Sequence, residues 1–143
     1  MARFITTVRS ARSAAETFNY MADFANAAAW DPGVRAARRI GDGPVGVGAR
    51  FALDFRFGPS IVPLEYAVTT LEPGRALTLR AERPAFVVED VITVEPDKDG
   101  SRVRYQATMT LRGPMRLLAP VLGWVFRRGA AKAARSLAAV LAG

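Results

Sequence analysis

The 143-residue sequence contains no cysteine and no histidine, and only two of its 20 basic residues are lysines. Without cysteine there are no disulfides, thiolate nucleophiles, iron–sulfur clusters or Cys-ligated zinc. Without histidine there is no imidazole base, no haem-type axial histidine and little prospect of a transition-metal site. A hydrolase triad built on a histidine base cannot be assembled, so proton chemistry falls to Asp, Glu, Tyr, Lys and Arg. No metal and no other cofactor is expected. Long apolar runs are missing too: Leu117 to Phe126 carries Pro120 and Gly123, is closed off by Arg116 and Arg127, and is too short to span a bilayer. The opening MARFITTVRS starts directly as a strand, with no apolar segment of the secretory kind, which points to a cytoplasmic location.

What is present is half apolar, 50% hydrophobic with a mean hydropathy of +0.11, as expected of one packed domain over residues 1–143. The net charge of +7 is unevenly placed. Every acid lies at or before Asp99, whereas Arg102, Arg104, Arg112, Arg116, Arg127, Arg128, Lys132 and Arg135 follow it. Such asymmetry suits an acidic partner, a membrane or a nucleic acid, but is more often a solvated helix face, and the latter is the reading adopted. No nucleic-acid partner is expected. The basic helix, with Trp124 as its one outward aromatic, predicts membrane contact that is at most weak and transient, with little or no binding to anionic vesicles at physiological salt.

Phe4 to Val8 suits a strand. Ser13 followed by Glu16 forms a capping box that opens a helix with Ala14, Phe18 and Met21 on one face, and a short helical piece over Phe24–Ala29 follows. Pro32 and Gly33 turn the chain. From Arg50 the pattern alternates: Phe51, Leu53, Phe55 and Phe57; then Val62, Leu64, Tyr66 and Val68; Leu77 and Leu79; Phe86, Val88, Ile92 and Val94; and Val103, Tyr105, Ala107, Met109 and Leu111. Five consecutive antiparallel strands follow from this, joined by turns at Gly58-Pro59, Pro73-Gly74 and Asp99-Gly100. After Gly113-Pro114 comes a helix to Leu141, with Leu118, Leu122, Phe126, Ala130, Ala133, Leu137 and Val140 as its apolar stripe. Pro120 and Gly123 predict a break early in it. Gly41 to Gly46 matches G-x-G-x-x-G, but a strand follows and Pro44 removes an amide, so the segment is a turn and not a nucleotide loop.

Strand, two short helices, a run of antiparallel strands and a terminal helix is an α+β arrangement. The order of elements, with Phe18-Asn19-Tyr20-Met21-Ala22-Asp23-Phe24, Trp30-Asp31-Pro32-Gly33-Val34, Gly43 to Phe51 and Pro63-Leu64-Glu65-Tyr66, resembles the helix-grip fold of the START-like (SRPBCC) superfamily and its bacterial polyketide cyclase/dehydrase branch. The resemblance implies a seven-stranded curved antiparallel sheet wrapped around the long C-terminal helix, with a cavity between them for a hydrophobic or aromatic small molecule.

The apolar faces nominate the lining of that cavity: Trp30, Phe51, Phe55, Tyr66, Phe86, Asp90, Tyr105, Met109 and Phe126. For any one of the apolar ones, filling the core is the leading account. Asp90 breaks the pattern, because alternation puts it on the inner face with Val88 and Ile92. An inward carboxylate either bonds Tyr66 or Tyr105, reaches water at a cavity mouth, or serves as an acid or base of raised pKa, the one weak candidate for catalysis. Pairing Val94 with Val103 places Ile92 opposite Tyr105 and Asp90 opposite Ala107. Three functions fit: a binder or carrier of a lipid or polyketide-like molecule, placed first; a cofactor-independent aromatase/cyclase; and a membrane- or partner-docking module using the basic helix. All strand arginines fall on the outer face in this reading, which counts against the cyclase.

Overall fold

The computed structural model describes residues 1–143. Its elements are β1 (Ala2–Ser10), α1 (Ala14–Ala22), a 3-10 turn (Phe24–Asn26), α2 (Ala27–Trp30), β2 (Val34–Ile40), β3 (Arg50–Phe57), β4 (Ser60–Glu72), β5 (Ala76–Glu82), β6 (Phe86–Asp97), β7 (Gly100–Leu111), a second 3-10 turn (Gly113–Leu118) and α3 (Ala119–Leu141). The seven strands form one antiparallel sheet in the order β1-β7-β6-β5-β4-β3-β2. This is the helix-grip arrangement: a curved sheet, short helices after the first strand and a long terminal helix. The β6–β7 register is the expected one, with Val94 opposite Val103, Ile92 opposite Tyr105 and Asp90 opposite Ala107.

The outer face is wet and carries opposite-charge pairs across strands, such as Arg50–Glu65 at 3.2 Å and Arg102–Glu95 at 3.1 Å. The inner face carries the core, including Phe51, Leu53, Val68, Leu77, Leu79, Ile92 and Val103. Phe18 and Met21 of α1 close it from above, and Ala133, Leu137 and Leu141 of α3 close it from the side, where α3 lies along β1 and β7.

Three features depart from the expected elements. Strand β2 was not legible by alternation, because Val-Arg-Ala-Ala-Arg-Arg-Ile buries only Val34 and a bulge between Val34 and Ala36 resets its faces. The expected break early in the terminal helix is instead its beginning. A 3-10 turn ends at Leu118, and Pro120 occupies the first turn of α3, where no amide donor is needed; α3 then runs unbroken through Gly123. The apolar stripe is buried only in the second half of α3, and Leu118 is exposed while Leu122 and Phe126 are half-buried.

The junction of β1, α1 and β7 is held by hydroxyls. Ser10 Oγ and Thr17 Oγ1 are 2.8 Å apart, Thr17 Oγ1 and Ser101 Oγ 2.8 Å, Ser101 Oγ donates to the Arg12 carbonyl at 2.9 Å, and the Arg12 amide donates to Ser10 Oγ at 3.1 Å. With one proton per hydroxyl, the order that satisfies every contact runs from the Arg12 amide through Ser10, Thr17 and Ser101 back to the Arg12 carbonyl. All three hydroxyl residues are fully buried. Beside them Gly100 runs so close to the Ser10 carbonyl that any Cβ there would collide with it. At the head of α1, Ser13 Oγ accepts the Glu16 amide at 3.1 Å, the capping expected. Replacing Thr17 by valine keeps the volume but strands Ser10 and Ser101. Chemical denaturation is expected to show a loss of about 1–3 kcal/mol, against about 1 kcal/mol for Ser13→Ala.

Candidate ligand site on the inner face of the sheet

Asp90 points inward from β6 and is buried, as alternation implied. Its partner is Tyr105 on β7, whose hydroxyl donates to Asp90 Oδ2 at 2.6 Å. Of the options weighed for this carboxylate, the structure therefore realises the tyrosine pairing. Burial pushes the Asp90 pKa up from 3.8 to about 7; the Tyr105 bond opposes the rise, and the charges of Asp31 and Glu89 add to it. Tyr105 and Tyr66 are both pushed well above 10, first by burial and then by the negative charge at Asp90.

The aromatic residues expected to line a cavity meet one another. Phe24 sits edge-on to Phe51 (6.4 Å between centroids), to Tyr66 (5.1 Å) and to Trp30 (6.2 Å), and Trp30 stands edge-on to Tyr105 at 5.6 Å. Each such pair contributes roughly 0.5–1.5 kcal/mol beyond its area, so this part of the interior closes on itself. Trp30, Phe51, Tyr66 and Asp90 are buried. Phe55, Phe86, Tyr105 and Met109 are half-buried and pack against the same core, while half-buried Phe126 on α3 stands outside it. Phe86 and Met109 lie where β6 begins and β7 ends, and Phe55 lies near the β3–β4 turn, which is the same end of the sheet. Two surface depressions lie elsewhere. One of about 500 Å³ lies over the outward side of α3, and one of about 190 Å³ lies on the outer sheet face at Thr7, Thr93 and Arg104. Neither is lined by a nominated residue.

Three site residues escaped sequence reasoning. Asp31 was read only as part of a turn, and its Oδ1 does accept the Gly33 amide at 2.8 Å. It also stands near enough to raise the pKa of Asp90, and its own is raised by burial. Phe24, at the hub of the aromatic contacts, was read only as the start of a helical piece. Arg39 corrects the expectation that strand arginines all face outward. Beyond the β2 bulge it pairs with Phe51, its guanidinium lies 5.4 Å from that ring, and its Nε is buried with no partner. Its Nη1 donates to the Gly43 carbonyl at 3.1 Å, tying down the loop before β3. The only signal for Arg39 lay in recognising β2.

Residues 1–142 match the family described as polyketide cyclase / dehydrase and lipid transport. The chain belongs to that family. No curated protein sequence matches it. Among solved structures, this family member superposes on a START superfamily protein from Mycobacterium smegmatis with TM-score 0.79 at 14% identity, covering 99% of this chain and 97% of that one. It is similar to the Zhui aromatase/cyclase from Streptomyces sp. R1128, with TM-score 0.77 at 13% identity over 97% and 92% of the chains. It is also similar to the major latex-like protein 151 of Panax ginseng, with TM-score 0.71 at 7% identity over 99% and 98%. At these identities the likeness is one of fold. No helix of the family member is long and apolar enough to cross a membrane.

The raised pKa of Asp90 gives a signed expectation. Between pH 4 and 7 the folded protein holds a proton at Asp90 that the unfolded chain has released, so this group's contribution to stability falls as pH rises through that window. A carboxyl raised from 3.8 to about 7 contributes about 4 kcal/mol at most. Asp31 acts in the same direction. Urea unfolding of Asp90→Asn is expected to show a much flatter pH dependence than the parent between pH 5 and 8, with the variant gaining relative stability at the alkaline end.

Proposed function

We propose that the protein binds and carries a hydrophobic or aromatic small molecule, lipid or polyketide-like, against the inner face of its sheet. The observation that carries this reading is the half-buried apolar rim of Phe55, Phe86 and Met109 on the same inner face as the Asp90–Tyr105 pair, whose carboxyl is buried. Apolar side chains supply the contact area and a single polar pair orients the ligand, the usual composition of a small-molecule site. Membership of a family described by cyclisation, dehydration and lipid transport supports the same ligand class. Because Trp30, Phe51 and Tyr66 already pack closely, a ligand enters from the rim and displaces side chains there, not in the aromatic hub.

Native mass spectrometry of the purified protein is expected to find a co-purifying apolar ligand. A fluorescent probe such as anilinonaphthalene sulfonate is expected to be displaced by fatty or aromatic competitors, and Tyr105→Ala to weaken it roughly tenfold, about 1.4 kcal/mol. Tyr66→Phe, which keeps the ring, isolates the hydroxyl. Unchanged probe binding in Tyr105→Ala and in Met109→Ala leaves these residues as core alone.

A second reading, cofactor-independent aromatase/cyclase chemistry, draws on one observation: a carboxyl titrating at about 7 within hydrogen-bond reach of a phenol. Such a group can take a proton from an activated methylene and return it to a departing hydroxyl at neutral pH. Under this reading Asp90→Asn abolishes turnover of a polyketide-like substrate while probe affinity stays within about threefold, since an amide there still accepts from Tyr105. Equal turnover in the parent and in Asp90→Asn removes the reading.

A further inference from the structure

The start of α3 and the turn before it leave large apolar side chains uncovered. Leu117 is 85% exposed, Val121 63%, Trp124 57%, Leu118 48% and Val125 39%. Within α3, Val121, Trp124, Val125 and Arg128 fall at i, i+3, i+4 and i+7, which is one helix face. Arg128 lies over the Trp124 ring at 5.2 Å, and Trp124 shares its shallow surface with Arg127, Lys132 and Arg135. None of Arg116, Arg127, Arg128, Lys132 and Arg135 forms an ion pair; every salt bridge of the protein lies elsewhere. The surface beside Trp124 therefore carries cations as its only charges, and no acid follows Asp99 in the sequence. Exposed Met1, Phe57 and Ile61 stand at the same end of the sheet, where β1 starts, β3 turns into β4 and β7 runs out toward the patch.

We propose that this face, the 3-10 turn Gly113–Leu118 with the first half of α3, docks the protein on an anionic lipid bilayer. Leucine and valine side chains enter beneath the headgroups, the indole of Trp124 takes the interfacial level, and the unpaired cations reach lipid phosphates. Charge complementarity selects this occupant. A second copy of the chain would bring the same unpaired cations against the first, and a nucleic acid offers nothing to Leu117 or Val121. The helix sequence alone, with cations set among alanines, predicted only feeble attachment. The uncovered Leu117, Leu118, Val121 and Val125 supply the apolar insertion that reading lacked. Docked this way, the half-buried rim at Phe86 and Met109 lies at the membrane end of the sheet. The docking itself does not depend on whether the interior binds a ligand.

Vesicle flotation and intrinsic Trp124 fluorescence test it, with phosphatidylcholine vesicles against vesicles containing 30% phosphatidylserine, at physiological salt. Expected are binding at least tenfold tighter to the anionic vesicles and a blue shift of Trp124 emission. A loss of at least tenfold is expected in the Val121→Gln/Trp124→Gln variant, whose charge is unaltered, and in an Arg127→Gln/Arg128→Gln/Lys132→Gln variant, whose salt dependence is also shallower because only Arg116 and Arg135 remain. These side chains are on the surface, so thermal melts of the variants are expected to match the parent. The proposal is overturned if anionic vesicles are not bound or if Val121→Gln/Trp124→Gln binds as the parent does. It is also overturned if sedimentation shows the patch buried in a dimer, or if polyglutamate competes as well as vesicles do, which would indicate an acidic polypeptide partner.

Discussion

A carboxylate on an apolar sheet face needs a donor, and much of this interior is arranged around meeting that need for Asp90. The donor is one strand away: the register that sets Asp90 opposite Ala107 brings Tyr105 within 2.6 Å. Tyr105 is in turn held edge-on by Trp30, Trp30 by Phe24, and Phe24 by Phe51 and Tyr66. The chain of contacts thus passes from β6 and β7 through the short helices to β3 and β4. Loss of the β6–β7 register by one residue would turn Asp90 outward, but it would also expose Val88, Ile92 and Val94, so the hydrophobic pattern holds the polar pair in place.

The sheet was legible where one face is wet and the other dry. Strands β3 to β7 alternate over most of their length, apart from a register shift between Val68 and Thr70 of β4 and the consecutive buried Val87 and Val88 of β6, and the outward position of Arg50, Glu65 and Arg102 follows from the same period. Strand β2 was illegible because alanines and arginines give no contrast and a bulge shifts the phase in mid-strand. Missing β2 also meant missing Arg39, whose inward course depends on that shift. Asp31 was hidden for another reason. A turn-forming aspartate and a buried acid have the same local sequence, and only the long-range fold brings this one near Asp90. Asp90 could be picked out in advance because it violates a pattern, whereas Phe24 obeys one and gave no sign of its central place.

Family membership and geometry bear on different questions. Membership fixes the class of fold, while the activity rests on the site each member builds. Here aromatic rings pack the middle of the inner face, and the half-buried Phe55, Phe86 and Met109 stand at the end where β6 begins and β7 ends. Around the aromatic rings the polar groups are Tyr66, Tyr105, Asp31, Asp90 and Arg39, of which Arg39 is engaged with a loop carbonyl, while the buried hydroxyls of Ser10, Thr17 and Ser101 sit apart at the junction of β1, α1 and β7.

The pairing of β1 with β7 carries a consequence for how the chain acquires its structure. In the sheet order β1 touches β7 alone, with Ala2 opposite Met109 and Ser10 opposite Ser101. During synthesis β3 to β6 can zip up by successive hairpins, each closing a short loop, while the first strand waits for nearly the last one to emerge. Until then its alternating apolar residues have no partner, and the α1 helix behind it lacks the Ser101 hydroxyl that completes its anchor. Among the strand pairings this one closes the longest loop, and so carries the largest loop-closure entropy. The interval before it is when the nascent chain is most exposed to aggregation through a bare strand edge.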